Sequence, residues 1–213
     1  MAFVSAFSVA ASKQSSFAGC SVSTKAVAPT AKWTMQKSQA IPFLDRPKKL
    51  DGSMPGDVGF DPFGFSEGIS LIWLREAEIK HARICMLAVL GFIVQEFYTF
   101  PFYSGAPKAP VAAHEYFVNF GSLGQILLFT SAFEAIVGFP AVVQSVNGGS
   151  RKPGEFGFDP LGLCKSDAQF KKYSEAELVN GRLCMIAIGG FVHQYWLTKM
   201  GVVEQILNGK FLP

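Results

Sequence analysis

The sequence predicts an all-α membrane protein with three transmembrane helices, of which the first and third form a crossed pair about a pseudo-two-fold axis. The chain of 213 residues is 49% hydrophobic, and its mean hydropathy is positive, which is typical of membrane proteins. Three apolar segments lie at about residues 70–96, 117–143 and 174–199. A polar motif recurs in the first and third segments, and such internal repeats set the architecture. Residues 202–208 add a short amphipathic helix.

The polar motif occurs twice, ninety-nine residues apart. Its two copies are Glu78, His81, Arg83, Cys85, Met86 and Gln95, and then Glu177, Asn180, Arg182, Cys184, Met185 and Gln194. Two-fold symmetry makes contacts reciprocal, so we predict that Arg182 pairs with Glu78 and that Arg83 pairs with Glu177. An unpaired charge within a membrane span costs about 2.5–3.5 kcal/mol, and pairing removes most of that cost. The alternative is that the charges lie unpaired in the headgroup zone.

A Gly- and Pro-rich turn precedes each copy of the motif. Residues 55–64 match residues 153–162 at an offset of ninety-eight. Both stretches contain an Asp-Pro dipeptide, which is typical of turns. The predicted repeat unit is therefore a turn followed by a membrane helix.

The middle segment is the most apolar of the three. A spanning helix needs about 20 apolar residues, and only this segment comes close, with Glu134 as its only charge. The first segment, and the start of the third, carry several charges. These two segments qualify as spans only if their charges are paired or bound to a ligand inside a bundle.

The charge distribution argues against a nucleic-acid-binding surface. Residues 1–34 contain Lys13, Lys25 and Lys32 and no acidic residue. The remainder is neutral, with sixteen basic and sixteen acidic residues, and shows no basic patch. The acid-free stretch 1–34, rich in Ser and Ala, predicts an organelle transit peptide, with a disordered tail as the alternative. The cysteine spacing fits neither a zinc site nor a disulfide framework, and no nucleophile–base pair indicates catalysis.

The spacing of the neutral polar residues suggests sites for a metal-containing ring. His81 and Gln95 are fourteen positions apart, which places them about 21 Å apart on nearly the same helix face. Asn180 and Gln194 repeat that spacing. A metal held by a four-nitrogen ring needs only one axial lone pair, so the pattern is compatible with a porphyrin-type cofactor. Interhelical hydrogen bonding by Asn and Gln, and an interfacial position for His193, are the alternatives.

With these motifs the chain resembles the three-helix light-harvesting chlorophyll a/b- or a/c-binding proteins. The resemblance is carried by residues 78–86 and 177–185 and by the Gly-Phe-Asp-Pro turns, and it extends over roughly residues 50–210. The sequence Leu-Arg-Glu-Ala-Glu at residues 74–78 resembles the red-lineage branch, that of the red algal photosystem I antennas.

The resemblance implies a set of chlorophyll magnesium ligands. Among them, Glu78 and Glu177 each ligate a magnesium while they pair with an arginine. The implied ligands are Glu78, His81, Gln125, Glu134, Glu177, Asn180 and Gln194. The weaker candidates are Gln95, which only the internal repeat supports, His114, and His193, which adjoins Gln194. Gly209 stands where many relatives place a histidine ligand, so that pigment site is expected to be absent or held differently.

The resemblance also implies the pigments and the way the helices approach one another. Chlorophyll a is expected, with chlorophyll c or b as the accessory form. Xanthophylls are expected in the grooves beside the crossed helices, with their ends near the Asp-Pro turns. Gly91, Gly189 and Gly190 are expected to allow the close approach of the helices.

The function implied by the resemblance is that of a peripheral antenna, not an enzyme, in the plastid thylakoid membrane. It passes excitation to a photosystem, and the red-lineage resemblance indicates photosystem I. The expected partners are the photosystem I core, neighbouring antenna subunits and thylakoid lipids, with no nucleic acid. A stress-related quencher or pigment carrier of the same fold is the main alternative. A transporter would need more polar residues in the middle segment, which offers little beyond Glu134.

Overall fold

In the computed structural model, which describes residues 37–209, the regular elements are helices. In chain order they are α1 (Phe65–Gly68), α2 (Leu71–Phe97), α3 (Pro110–Phe120), α4 (Ser122–Phe133), α5 (Phe139–Val146), α6 (Asp167–Thr198) and α7 (Val202–Asn208). A 3₁₀ turn, Pro101–Tyr103, follows α2, and a π-helical turn, Glu134–Gly138, joins α4 to α5. The all-α prediction is confirmed for this part of the chain. The predicted transit peptide, residues 1–34, lies outside it.

Helices α2 and α6 form the central pair and cross at Ala82 and Gly181. Ala82 is completely buried, and a Cβ atom added at Gly181 would overlap the Cβ atom of Ala82. About ten residues further along each helix, the rings of Phe92 and Phe191 stack with centroids 6.1 Å apart. Ala82 and Gly181, like Phe92 and Phe191, occupy equivalent positions in the repeat. The pair therefore has contacts on its pseudo-two-fold axis both at the crossing and beyond it.

The expectation that Gly91, Gly189 and Gly190 mediate the close approach is wrong. A Cβ atom added at any of these three glycines would meet no protein atom within 4 Å. Crossing helices diverge away from their contact point, and these glycines lie more than two turns beyond it. Small residues are needed only where the backbones meet, which is one position on each helix.

The middle helix is continuous from Ser122 to Val146, through α4, the π turn and α5. By length and composition it is the one helix among residues 37–209 that can cross a membrane, with a mean hydropathy of 2.0 over its most apolar window. Its apolar side chains face outward; Leu128 and Phe129, for example, are 74% and 76% exposed. A core helix of a soluble protein would bury such residues, whereas a lipid-facing helix presents them to the bilayer.

The boundaries of the middle and third helices differ from those expected. Gly121 adopts a left-handed conformation with φ +84°, which separates α3 from the helix that starts at Ser122. Pro140 does not end that helix, because it lies in the first turn of α5 directly after the π turn. Helix α6 begins at Asp167 instead of about residue 174, since the Ser166 hydroxyl accepts a hydrogen bond from the N–H of Gln169 and caps the helix.

The C-terminal helix α7 is held against the end of α2 by Glu96. The Glu96 carboxylate accepts the N–H groups of Val202 and Val203 at 2.6 and 2.8 Å, so it caps α7 from another helix. Gly201 leaves space for that carboxylate, which would lie 2.5 Å from a Cβ atom. Ile206 and Leu207 remain exposed, as is expected for a helix that lies in a membrane interface.

The crossing contact predicts a position-specific effect of side-chain size. Gly181→Val should destabilise the protein by about 1–3 kcal/mol or more, because the added atoms must displace the Ala82 backbone. Gly190→Val, in open space on the same helix, is the matched control and should leave stability nearly unchanged, because Val and Gly have similar helix propensities. Thermal unfolding in detergent, followed by far-UV circular dichroism, measures both variants. Equal midpoints for the two would contradict this packing.

Candidate functional site

Two ion pairs join α2 to α6 on either side of the crossing. Nε of Arg83 donates to Oε1 of Glu177 at 2.6 Å, and Nε of Arg182 donates to Oε1 of Glu78 at 2.8 Å. The structure thus brings together the residues that the repeat predicted as partners. Each pair links residues about one hundred positions apart, so it fixes the register of the two helices.

Each arginine also holds the turn that precedes the opposite helix. Nη1 of Arg83 donates to the carbonyl oxygen of Gly154 at 2.9 Å, and Nη1 of Arg182 donates to that of Gly56 at 3.0 Å. Gly56 and Gly154 are equivalent in the repeated turns, and both have positive φ. The sequence shows both repeats but not these arginine–carbonyl hydrogen bonds. The turns repeat at an offset of ninety-eight and the helices at ninety-nine, so the two repeats do not align as one unit.

The carboxylates of Glu78 and Glu177 differ in the hydrogen bonding of their second oxygen, Oε2. Oε2 of Glu78 accepts a further bond from Nη1 of Arg75 at 2.8 Å. The residue equivalent to Arg75 is Ser174, which donates to the carbonyl of Lys171 instead. Oε2 of Glu177 therefore has no hydrogen-bond partner within residues 37–209. Glu78 is compensated by two arginines and Glu177 by one.

His81 and Asn180 make the same local contact at equivalent positions. Nδ1 of His81 lies 2.8 Å from the carbonyl oxygen of Ala77, and the Asn180 amide nitrogen donates to that of Ala176 at 2.9 Å. Because a carbonyl oxygen only accepts hydrogen bonds, these contacts leave Nε2 of His81 and Oδ1 of Asn180 with free lone pairs. Both side chains are exposed. They present single metal-ligating atoms on the outer face of the helix pair.

The remaining candidates lie apart from this cluster. Gln95 makes a long contact of 3.5 Å to the carbonyl of Pro107, and Gln194 is half-buried near the end of α6. The ring of His193 is oriented like that of His81, with Nδ1 2.7 Å from the carbonyl of Gly189. The exposed side chains of His114 on α3 and Gln125 on α4 form no hydrogen bond with another described residue. His193 is thus the exposed and Gln194 the half-buried member of this neighbouring pair.

Among the ion pairs that the sequence did not suggest, two connect α2 to the middle helix or to the loop after it. Glu134 on the middle helix is paired with Lys80 on α2, with Nζ and Oε2 2.5 Å apart. Glu76, only 1% exposed, is paired with Arg151, whose Nη1 also donates to Oγ of Ser145 at 2.6 Å. The only signal was that the middle helix carries one charge without a partner of its own. Each of these pairs occurs once and joins distant segments, so no sequence repeat predicts it.

The comparison with known proteins identifies the family. The model of the family described as "Chlorophyll A-B binding protein" matches residues 46–196. The chain belongs to the chlorophyll A-B binding protein family.

Several members of the family are similar over most of their length, and their names describe pigment-binding proteins. Light-harvesting complex stress-related protein 1 of Chlamydomonas reinhardtii is 34% identical over 202 residues, which cover 87% of this chain and 76% of that protein. Chlorophyll a-b binding protein P4 of Pisum sativum is 33% identical over 205 residues, which cover 89% and 78%. A fucoxanthin-chlorophyll a-c binding protein of Chattonella marina var. antiqua is 38% identical over 180 residues, which cover 78% and 80%. All three relatives are chloroplastic.

The donors in this chlorophyll A-B binding protein fit the ring-bound magnesium of a chlorophyll. Within residues 37–209 no three His, Cys, Asp or Glu side chains come together as ligands for one metal ion. The structure instead provides separate oxygen and nitrogen atoms on exposed or half-exposed side chains, and those of His81 and Asn180 keep a free lone pair. A tetrapyrrole contributes four nitrogens and needs one axial ligand. Chlorophyll is therefore a suitable group for this donor set.

Two cavities flank the helix pair at the repeated turns. One, of about 440 Å³, is lined by Phe60, Asp61 and Leu74 among other residues, and the other, of about 750 Å³, by Phe158, Asp159 and Phe170 among others. Arg182 lines the first cavity and Arg83 lines the second. The cavities thus repeat the pseudo-symmetry of the ion pairs.

The Asp-Pro turns are closed by carboxylate–backbone hydrogen bonds. The N–H groups of Cys164 and Leu163 donate to Asp159 at 3.0 and 3.1 Å and hold the pKa of its carboxyl below the ordinary value. Burial raises the pKa of Asp61, but hydrogen bonds from Ser66 and Phe65 outweigh it, so this pKa is also lowered. The ionised carboxylates therefore stabilise both turns.

The unequal compensation of the two glutamates predicts unequal mutational costs. Glu78→Gln leaves two arginines without a carboxylate, whereas Glu177→Gln leaves one. Removing one partner of a partly buried charge pair leaves the other charge uncompensated, so Glu78→Gln should be the more destabilising change by about 1–3 kcal/mol. The double variant Arg75→Ser/Glu78→Gln reproduces the arrangement around position 177, and its stability should match that of Glu177→Gln. Thermal midpoints of the four proteins in detergent test this, and equal costs for the two single variants would refute the asymmetry.

The lowered pKa values predict a pH dependence of stability. A carboxyl whose pKa is lower in the folded state stabilises the protein above its ordinary pKa, and that stabilisation is lost as the pH falls through the folded-state pKa. As the pH falls below the ordinary carboxyl pKa, the thermal midpoint of the wild type should therefore decrease more steeply than that of Asp61→Asn/Asp159→Asn. Far-UV circular dichroism is the suitable measurement because it follows the helices whatever happens to the pigments. Parallel curves for the two proteins would show that these turns do not contribute.

Proposed function

We propose that this protein is a three-span thylakoid antenna that binds chlorophyll and xanthophyll and passes excitation to a photosystem. The observation that carries the proposal is the pair of equivalent sites on α2 and α6. At each of them, a glutamate is compensated by an arginine of the other helix, and a neighbouring residue presents one free lone pair. As a member of its family, the protein is a pigment-binding protein and not an enzyme.

Helices α2 and α6 serve as the first and third membrane spans. With 27 and 32 residues they extend about 40 and 48 Å at 1.5 Å per residue, more than the roughly 30 Å of a bilayer core. Their composition alone does not qualify them, because both contain charges. Pairing Glu78 with Arg182 and Glu177 with Arg83 removes most of the cost of inserting those charges. The charged start of α6, at residues 167–175, extends beyond the bilayer core.

The chain holds the chlorophylls through single axial ligands. Bound chlorophyll supplies the light absorption. The proposed magnesium ligands are Glu78, His81, Gln125, Glu134, Glu177, Asn180 and Gln194, with Gln95, His114 and His193 as further candidates. The arginines neutralise and orient the two glutamates, and the carbonyls of Ala77 and Ala176 fix the orientation of His81 and Asn180. The protein thereby sets the spacing and orientation of the pigments.

The two cavities at the repeated turns hold the ends of xanthophylls. Their lining combines aromatic and aliphatic side chains with a few polar groups of the Asp-Pro turns. Such a lining suits a long apolar molecule with polar ends. The grooves on the two sides of the α2–α6 crossing accommodate the polyene chains.

Residues 1–34 are the plastid transit peptide, and residues 35–213 form the mature antenna. The acid-free composition of the first part supports this division, as do the chloroplastic relatives. The photosystem is photosystem I, which the red-lineage character of residues 74–78 favours. The further partners of this protein are neighbouring antenna subunits and thylakoid lipids.

Quenching of excitation is the second candidate function. The observation that favours it is the 34% identity to light-harvesting complex stress-related protein 1, over 87% of this chain. A quencher of this fold binds the same pigments but returns their excitation as heat. Composition and fold do not separate it from an antenna, so emission lifetime is the deciding property.

The proposal predicts the photophysics of the native protein. Excitation into the carotenoid bands should produce chlorophyll emission with a lifetime typical of antenna proteins, and the protein should migrate with photosystem I cores in a density gradient. A strongly shortened lifetime in the same sample would select quenching instead, and migration with photosystem II cores would overturn the assignment to photosystem I. A purified protein without chlorophyll would refute the pigment-binding function itself.

A further inference from the structure

Lys80 departs from the repeat that otherwise governs α2 and α6. The equivalent residue on α6 is Val179, which is exposed, so the two-fold packing does not require a lysine. The Lys80 ammonium instead reaches the middle helix, where Nζ lies 2.5 Å from Oε2 of Glu134. This lysine therefore serves a contact that exists on only one side of the helix pair.

The backbone of the middle helix is adapted to this contact. A π-helical turn begins at Glu134 and ends at Gly138, and such turns occur frequently at functional sites. Gly138 is buried, and a Cβ atom there would overlap Oε2 of Glu134 and lie 3.1 Å from Nζ of Lys80. The ion pair thus occupies the space that a side chain at residue 138 would fill, which distinguishes it from an incidental surface pair.

The contact leaves part of the carboxylate available. The Glu134 side chain is 55% exposed and that of Lys80 only 28%. Oε1 of Glu134 makes no hydrogen bond with another residue of the described chain. Since Glu134 is the only charged residue between Ser122 and Val146, its compensation must come from another helix, and Lys80 provides it.

We propose that Lys80 is the positioning and charge-compensating residue of a chlorophyll site at Glu134: its ammonium holds Oε2, so that Oε1 stays free to ligate the magnesium. The inference rests on the proposed function, which makes Glu134 a ligand, and adds the residue that keeps it able to bind. Without Lys80, nothing holds Oε2 of Glu134 against α2, and the charge of Glu134 has no partner on another helix. Oε1 is then no longer fixed in position, so the site loses its pigment although the ligand is still present.

The test is refolding of the full chain with chlorophyll a and xanthophylls, followed by pigment analysis and thermal unfolding. Lys80→Met should lose a single chlorophyll and the corresponding band of the absorption difference spectrum. Lys80→Arg should keep both, because the positive charge is conserved. Lys80→Met/Glu134→Gln should regain the pigment, since a neutral amide oxygen needs no counter-charge. Lys172→Met, an exposed lysine of α6, is the matched control and should resemble the wild type.

The outcomes separate the role of Lys80 from that of the site. If Glu134→Leu loses the pigment but Lys80→Met keeps it, the role of Lys80 is refuted and the ligand role stands. If Glu134→Leu keeps the full pigment complement, Glu134 is not a ligand and the inference fails with it. The remaining outcome is that Lys80→Met loses the pigment and that Lys80→Met/Glu134→Gln does not regain it. If the double variant nevertheless regains the thermal midpoint of the wild type, the ion pair is purely structural. A wild type that binds no chlorophyll would overturn the proposed function.

Discussion

The structure depends on two glutamate–arginine pairs placed on either side of one point of helix contact. Ala82 and Gly181 bring the backbones of α2 and α6 close enough for each arginine to reach the glutamate of the other helix. The pairs in turn compensate four charges within the helix pair. Because each arginine also binds a carbonyl of the turn before the opposite helix, the same interaction positions the turns and the cavities beside them. Helix register, charge balance and cavity shape are therefore parts of one arrangement.

The middle helix and the loop after it break this symmetry, because among the described residues they form ion pairs with α2 and not with α6. Glu76 and Lys80 form ion pairs with Arg151 and Glu134, which belong to the middle helix or to the loop that follows it. Their counterparts on α6 are Glu175 and Val179, and both are exposed. The duplicated helices have thus diverged on the face that meets the middle helix, while the residues at their common axis have stayed equivalent. This divergence makes equivalent positions on the two helices chemically different.

The features that repeat in the sequence could be predicted, and most of those that occur once could not. The reciprocal pairing of Glu78 with Arg182 and of Glu177 with Arg83 follows from a two-fold axis and from the cost of unpaired charge, so the repeat was sufficient. Many small residues lie along both helices, and only the crossing geometry shows which of them matter, so the prediction for the glycines was wrong. The Lys80–Glu134 pair joins residues with no common pattern. The early start of α6 depends on one serine cap that periodicity does not reveal.

Few apolar side chains are buried by contacts within the described part of the chain. Within residues 37–209 the buried apolar side chains are only Ile79, Ala82, Ala113, Val142, Leu178 and Val202, too few for contacts within the chain to offset the entropy of ordering it. At the same time His81 and Asn180 keep free lone pairs on exposed faces of α2 and α6. At the proposed sites, a chlorophyll would use such a lone pair and its ring would cover apolar surface that the chain leaves exposed, so the same residues would serve both pigment binding and packing.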